Sequence, residues 1–206
     1  MSEIGESFFI RGKGSDIGYI NVRDSFHHEN TRKFVDSLWA KYKPLADGHF
    51  KEDAKNHFLQ RFWEMYVAVT FLEAGLKLVP VGGEGPEFYF ESSQRRIFVE
   101  AIAPGPGTGP DKVSEPQYGV ARKVPTEKIL LRFTHALAEK RKKYLEALEK
   151  GIVTCDDGYL LAINSNEIHH GPKGNTMPYF VQAFLPLGPL AVALDLKTEK
   201  IVDSYH

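Results

Sequence analysis

The middle of the chain shows two patterns of apolar and polar residues, one typical of helices and one typical of strands. Between residues 54 and 74, apolar side chains go almost all the way round a helix of about 100° per residue. This pattern predicts a helix that is buried on more than one side and ends at Gly75. Further helices are predicted from Thr126 to Lys150 and, more briefly, from Thr31 to Lys43, which ends before Pro44.

Short apolar runs separated by turn residues predict the strands. Three runs follow the buried helix: Leu76 to Val81, Phe88 to Phe90 and Arg96 to Ala103, of which the last two are expected to form a hairpin. A fourth run, from Tyr159 to Asn164, follows the second long helix. The order helix, three strands, helix, strand indicates an α/β fold with a central mixed sheet flanked by helices.

The two ends of the chain carry weaker patterns. Residues 1–30 predict only strand fragments or an ordered tail. Near the other end, the runs Phe180 to Pro186, Leu190 to Leu196 and Ile201 to Tyr205 predict additional antiparallel strands. We therefore expect one domain over residues 1–206, made of an N-terminal extension (1–50), a core (51–165) and a C-terminal strand addition (166–206).

Composition narrows the class of protein. The chain has 206 residues, 42% of them hydrophobic and 26% charged, which suits a globular protein with a sizeable core. Its one cysteine, Cys155, excludes an intramolecular disulfide and agrees with a reducing compartment. The first residues lack the basic start and apolar run of a secretory signal, and no apolar stretch approaches the roughly 18 residues of a membrane span. We expect a cytoplasmic protein with no membrane contact.

Three carboxylates stand where a charge is uncommon. Glu64 lies on the apolar helix, and Glu87 opens a strand directly after Gly85-Pro86. Glu100 lies inside an apolar strand. A buried carboxylate is unfavourable unless it is paired or binds a cation. For Glu64 the alternative to a site is an ion pair with Arg61, three residues earlier.

The segment Gly85-Pro86-Glu87-Phe88, followed after a turn by Val99-Glu100-Ala101-Ile102, resembles the PD-(D/E)XK phosphodiesterase superfamily. The likeness covers residues 54 to about 165, where the predicted element order matches that family's restriction-endonuclease-like core. With the following Ala103-Pro104-Gly105, it extends to a group of uncharacterised bacterial proteins. By position, Glu87 corresponds to the motif's aspartate, Glu100 to its second acid and Glu64 to the helix glutamate of many members.

This resemblance implies a metal-dependent nuclease that cleaves DNA or RNA, with Mg²⁺ (or Mn²⁺) held by Glu87 and Glu100. The sequence departs from the motif at two positions: the aspartate is a glutamate, and Ile102 stands where the lysine belongs. Lys140, within the apolar stripe of the second long helix, is our candidate for a migrated lysine. The alternative for Lys140 is a stem that packs on the core while the amine reaches water.

Positive charge is concentrated on the same helix. Residues 121–150 contain nine Lys or Arg against four Glu, an excess that favours a polyanionic partner. The residues expected to contact a nucleic-acid backbone are Lys128, Arg132, His135 and Lys142. The segment 104–125, with five prolines and four glycines, is expected to be a mobile loop that contacts substrate.

Two other functions remain open. A catalytically inactive binding or interaction protein on the same fold would keep the three acids as a hydrogen-bonded core, and the absent motif lysine favours it. A glycoside hydrolase with two carboxylates fits the acids but not the order of the elements.

Overall fold

The structure, a computed structural model, describes residues 6–82, 85–172, 177–185, 191–195 and 197–205. The chain divides into two compact units, one formed by residues up to Ala103 with Lys143–Asn164, the other by Pro104–Lys142 with residues from Ser165 onward. No helix in these described ranges has the length and apolar character that a membrane span requires. The described elements are α1 (Ile17–Asp24), α2 (Glu29–Tyr42), α3 (Phe50–Ala54), α4 (Phe58–Glu73), β1 (Val79–Pro80), β2 (Phe88–Ser92), β3 (Arg95–Ile102), α5 (Thr126–Glu149), β4 (Gly158–Ile163), α6 (Tyr179–Phe184), β5 (Ala191–Asp195) and β6 (Lys200–Tyr205).

A four-stranded mixed sheet in the order β1-β2-β3-β4 forms the centre of the first unit. Strand β3 pairs antiparallel with β2 and parallel with β4, where Ile97 lies opposite Gly158. The predicted α/β class and mixed sheet are therefore confirmed. The predicted hairpin is also confirmed: Ser93 and Gln94, with φ of 50° and 67°, form a two-residue turn of the kind that matches strand twist.

Glycines end the two long helices, and the sequence predicts the first of these ends, at Gly75. Gly75 has φ of +82°, and the amide of Leu76 donates to the carbonyl of Phe71, which closes the last turn of α4. Gly151 ends α5 in the same way. The predicted single helix over residues 54–74 begins differently, since α3 stops at Ala54 and α4 starts at Phe58.

Residues 17–24 form a helix before α2 and the described residues 6–16 form no strand, so the strand fragments predicted in 1–30 are wrong for the described residues, and 6–16 agree with the alternative of an ordered tail. One Asp16 carboxylate oxygen accepts from the amide of Tyr19 and caps α1, and the other accepts from the amide of Phe58 at the start of α4. Phe8 is fully buried, with its ring 5.7 Å from that of Trp39. The predicted N-terminal extension therefore contributes to the same core as α4.

The two faces of the sheet pack on different helices. Val99 and Ala101 of β3 lie in the core cluster that includes Met65 and Ala68 of α4. Phe98, on the other face, packs with Ala147 near the end of α5. Because side chains alternate along a strand, Glu100 belongs to the face of Phe98.

The second unit contains the small antiparallel sheet of β5 and β6, with Asp195 opposite Lys200. These strands confirm the last two predicted ones, although Leu190 and Leu196 lie outside the described residues. The strand predicted from Phe180 to Pro186 is wrong, because Tyr179–Phe184 is helical, and Pro186 lies outside the described residues. A run of seven residues is too short for its periodicity to separate helix from strand.

Candidate active site

Glu64 is held by two side chains inside the first unit. It is 5% exposed; the hydroxyl of Tyr42 donates to Oε1 at 2.5 Å, and Nη1 of Arg61 donates to Oε2 at 2.9 Å. Burial raises the pKa of Glu64, while the hydrogen bonds from Tyr42 and Arg61 oppose that rise. The expected ion pair with Arg61 is present, but it is buried, and Arg61 also pairs with Asp53 at 2.7 Å.

Glu87, which directly precedes β2, continues the hydrogen bonding of β3 beyond the paired residues of β2. Its amide donates to the carbonyl of Val99 at 3.1 Å, and its Oε2 accepts from the amide of Ala101 at 3.0 Å. Gln60 of α4 continues this role, since it donates to the carbonyl of Ala101 and accepts from the amide of Ala103, each at 2.8 Å. The Glu87 carboxylate therefore lies at the residue next to Glu100, as the hairpin predicts.

Glu100 is buried in β3, with 2% of its surface exposed. The hydroxyl of Tyr159, on the parallel neighbour β4, donates to its Oε2 at 2.6 Å. Phe98 is the residue opposite Tyr159, so Glu100 and Tyr159 are diagonal neighbours across the two strands. The ring of Tyr144 packs edge-on against Tyr159 at 4.9 Å and fixes its position.

The negative charges of the three acids act on two tyrosines, Tyr42 and Tyr159. Burial, followed by the negative charges of Glu64 and Glu87, raises the pKa of Tyr42. Burial, followed by Glu100 and Glu87, raises the pKa of Tyr159. Glu87 therefore acts on both tyrosines. Glu64 belongs to α4, which packs on the face of Val99 and Ala101, whereas Glu100 belongs to the opposite face of the sheet. We call Glu64, Glu87, Glu100, Tyr42 and Tyr159 the carboxylate–tyrosine cluster.

A cavity of about 400 Å³ adjoins this cluster. Tyr159 lines it and donates to Glu100, and Pro86, which directly precedes Glu87, lines it as well. The volume lies in the range of small-ligand sites. We call it the lysine cavity, because two of its lining side chains are cations; the lining residues are Gly85, Pro86, Lys143, Glu146, Ala147, Lys150 and Tyr159.

The donor chemistry of the cluster fits a hard divalent cation. Magnesium is commonly bound through one or two carboxylates, with water and substrate oxygens completing the coordination, so Glu87 and Glu100 suffice as protein ligands. No group of three or more His, Cys, Asp or Glu side chains suited to a metal ion occurs among the described residues.

Ile102, which stands where the motif has its lysine, is a buried core residue. Ile102 is 4% exposed, so the strand itself has no room for a solvated amine there. Lys140 is half-buried on α5 and falls in the second unit of the chain. Its service to the cluster stays a prediction. Lys143, three residues later, lines the lysine cavity within the first unit.

Two of the four expected nucleic-acid contacts support the Pro- and Gly-rich segment. The amine of Lys128 donates to the carbonyl of Pro110 at 2.5 Å, and Nε of Arg132 donates to the carbonyl of Gly105 at 3.0 Å. His135 and Lys142 are exposed. Residues 104–125 thus lack long regular elements but are tied to α5, and their mobility stays a prediction.

The residues that sequence inspection missed are Tyr42, Tyr159 and Lys143. Tyr42 lies 22 positions from Glu64, and Tyr159 lies 59 positions from Glu100. No local pattern joins residues so far apart. Lys143 carries a weak signal, because it belongs to the basic run 140–143 on a predicted helix.

Alkaline pH is expected to destabilise the protein through the two buried tyrosines. An unfolded tyrosine has a pKa near 10, whereas burial and the neighbouring carboxylates raise the pKa of Tyr42 and Tyr159 in the folded protein. Their contribution to the free energy of unfolding is full below about pH 10 and declines as the pH rises above 10 toward the folded pKa. Urea titrations across this window should show a steeper loss for the wild type than for Tyr42→Phe.

Tyr118→Phe is the matched control, because Tyr118 is fully exposed. Its stability should follow that of the wild type at every pH. Equal slopes for all three proteins would contradict the predicted role of the buried hydroxyls.

No protein-family model matches the sequence, and no curated protein or solved structure matches it at a significant level.

Proposed function

We propose that the protein is a metal-dependent phosphodiesterase that acts on nucleic acid. The observation that carries this proposal is the placement of two neighbouring carboxylates, Glu87 just before β2 and Glu100 in β3, next to a cavity of about 400 Å³ lined by Lys143 and Lys150. Acids suit a divalent cation, and lysines beside them suit a phosphate. The mixed sheet and the element order also support a restriction-endonuclease-like fold as part of the same proposal.

Each residue of the site has a defined task. Glu87 and Glu100 would hold Mg²⁺ or Mn²⁺, which when bound polarises a phosphoryl oxygen and lowers the pKa of water. Tyr159 donates a hydrogen bond to Oε2 of Glu100, which fixes the orientation in which this carboxylate would bind the metal.

The remaining groups act on the substrate or on the scaffold. Lys143 and Lys150 would neutralise the phosphate in the cavity. Lys140, which belongs to the second unit, stays the sequence-based candidate for orienting the attacking water or the phosphate. His135 and Lys142, both exposed, would contact the backbone of the nucleic acid. Glu64, held by Tyr42 and Arg61, supports the cluster from α4.

Metal titration tests the proposal directly. Calorimetry with Mg²⁺ and Mn²⁺ should show binding at millimolar concentration or below, and Glu100→Gln should weaken it about tenfold or more, since it removes a charged ligand. Glu91→Gln is the matched control, because Glu91 is an exposed residue of the same hairpin and should bind metal as the wild type does. Undetectable binding in the wild type, or equal binding in Glu100→Gln, would refute the proposed metal site.

A second function is favoured by a different observation. Both oxygens of Glu64 and one oxygen each of Glu87 and Glu100 accept hydrogen bonds from the protein itself. Such a satisfied cluster also suits a nuclease-fold binding or interaction protein without turnover. That protein would bind nucleic acid or a protein partner equally well with and without divalent cations, and Glu100→Gln would leave this binding unchanged.

A further inference from the structure

A second cavity lies within the second unit, around the first turn of α5. Its volume is about 410 Å³, which suits a small-molecule ligand or one unit of a polymer. Two stretches of the Pro- and Gly-rich segment, 112–117 and 120–125, contribute most of its lining residues. Lys128 of α5 and His170 complete the lining. We call this space the loop cavity.

The lining of the loop cavity is strongly cationic. The lining contains one carboxylate, that of Glu115, and four cationic side chains: Lys112, Arg122, Lys123 and Lys128. Within the described part of the chain, neither Lys112 nor Lys123 forms an ion pair. Cations left without acids around a concave surface favour an anionic ligand.

Hydrogen bonds hold the walls of the loop cavity. Val113 is fully buried, and its amide donates to the carbonyl of Pro106 at 2.9 Å. The guanidinium of Arg122 donates to the side-chain oxygen of Gln117 at 2.6 Å, which joins the two loop stretches. The wall at His170 is a tight turn, since a Cβ at Gly171 would lie 2.6 Å from the carbonyl oxygen of Ser165. These contacts connect the parts of the lining to one another, and such connections lower the cost of ordering a site on binding.

The start of α5 adds positive potential to the same cavity. The first backbone hydrogen bond of its helical ladder runs from the amide of Ile129 to the carbonyl of Pro125, which lines the cavity. In the described ranges, the amides of Glu127 and Lys128 donate to no protein acceptor. Free amides and the helix dipole at this end favour negative charge.

Part of the remaining lining is apolar. Pro116, Val120, Ala121 and Pro125 contribute carbon surface beside the cations. A lone phosphate would leave most of about 410 Å³ unfilled. A ligand that fits both parts carries a phosphate joined to a flat, weakly polar body, which is the chemistry of a nucleotide.

We propose that the loop cavity is a nucleotide-binding site, in which the phosphate contacts Arg122 and Lys123 and the base lies against the proline-rich wall. The site is independent of the carboxylate–tyrosine cluster and needs no divalent cation. The nucleotide is either free or one unit of a single strand; the two sources share this chemistry and differ in whether neighbouring phosphates add affinity.

Binding measured by calorimetry in the presence of EDTA tests this proposal apart from the proposed enzyme activity. The probes are adenosine monophosphate, a short 5′-phosphorylated single-stranded oligonucleotide and inorganic phosphate. Arg122→Gln and Lys123→Gln should each weaken nucleotide binding about tenfold, the loss expected for one charge-assisted contact. Lys200→Gln, an exposed lysine on β6 in the same unit, is the matched control and should bind as the wild type does.

Each outcome decides the proposal. An oligonucleotide that binds more tightly than the mononucleotide, with affinity falling as salt rises, identifies a strand-binding site. A mononucleotide that binds as tightly as the oligonucleotide identifies a free nucleotide. Absence of binding at millimolar probe, affinities of Arg122→Gln and Lys123→Gln equal to the wild type, or inorganic phosphate that binds as tightly as the nucleotides would overturn the proposal.

Discussion

Glu64→Ala should lower the free energy of unfolding by about 3–5 kcal/mol, the range for breaking one side of a buried charged pair. The reason is the arrangement around the carboxylate: its removal leaves the buried hydroxyl of Tyr42 without an acceptor and Arg61 with Asp53 alone. Urea denaturation at neutral pH measures the change directly. Glu73→Ala, on the same helix, is the matched control; its salt bridge with Lys41 is exposed, and the change should stay within about 1 kcal/mol.

The double variant Glu64→Ala/Tyr42→Phe separates the loss of a partner from the loss of the interaction. Because both hydrogen-bonding groups are then absent, the double variant should be more stable than the sum of the two single changes implies. A cost below about 1 kcal/mol for Glu64→Ala would show that the fold does not depend on this carboxylate.

Lys140→Met should reduce metal-dependent cleavage of nucleic acid by about 10²–10³-fold, the usual loss when a donor to the developing charge is removed. Methionine roughly keeps the volume of the lysine stem, so the fold and the midpoint of thermal unfolding should change little. The measurement is the rate of cleavage of single-stranded DNA and RNA with Mg²⁺.

Two neighbouring lysines serve as comparisons. Lys142→Met, at an exposed position, should weaken nucleic-acid binding and its salt dependence while the maximal rate is kept. Lys143→Met, in the lysine cavity, should raise KM more than it lowers kcat. Unchanged cleavage by Lys140→Met would exclude Lys140 as the migrated lysine, and a large loss of kcat in Lys143→Met would assign the role there.

The fold was predictable where local chemistry decides it. Gly75 and Gly151 end their helices because only a residue without a side chain adopts that backbone conformation easily. The strand β3 was predictable from its alternation. The two errors of element type fall on α1 and α6, which have eight and six residues. Elements this short depend on tertiary contacts, such as the hydrogen bond that the amide of Phe58 donates to Asp16 beside α1.

Only the part of the site that depends on the pairing of β2 with β3 was predictable from the sequence. Glu87 and Glu100 belong to a hairpin that the sequence shows, so their proximity could be inferred. The hydroxyls that hold Glu64 and Glu100 come from Tyr42 on α2 and Tyr159 on β4, and only the folded chain joins them. The lysine cavity likewise combines Pro86 with Lys143 and Lys150, which are distant in sequence.

The parallel pairing of β3 with β4 sets an order on folding. Ile97 meets Gly158 only after the intervening chain, which includes residues 104–142 of the second unit, has been made. On the ribosome, the hairpin of β2 and β3 can form early, whereas β3 keeps one open edge until β4 emerges. Non-local parallel pairing is slow because a long loop must close first. The hydrogen bond from the hydroxyl of Tyr159 to Glu100 therefore forms in a late step of folding. A nascent chain that stalls before β4 exposes β3 with an unpaired edge and with the carboxylate of Glu100, which is buried in the folded protein.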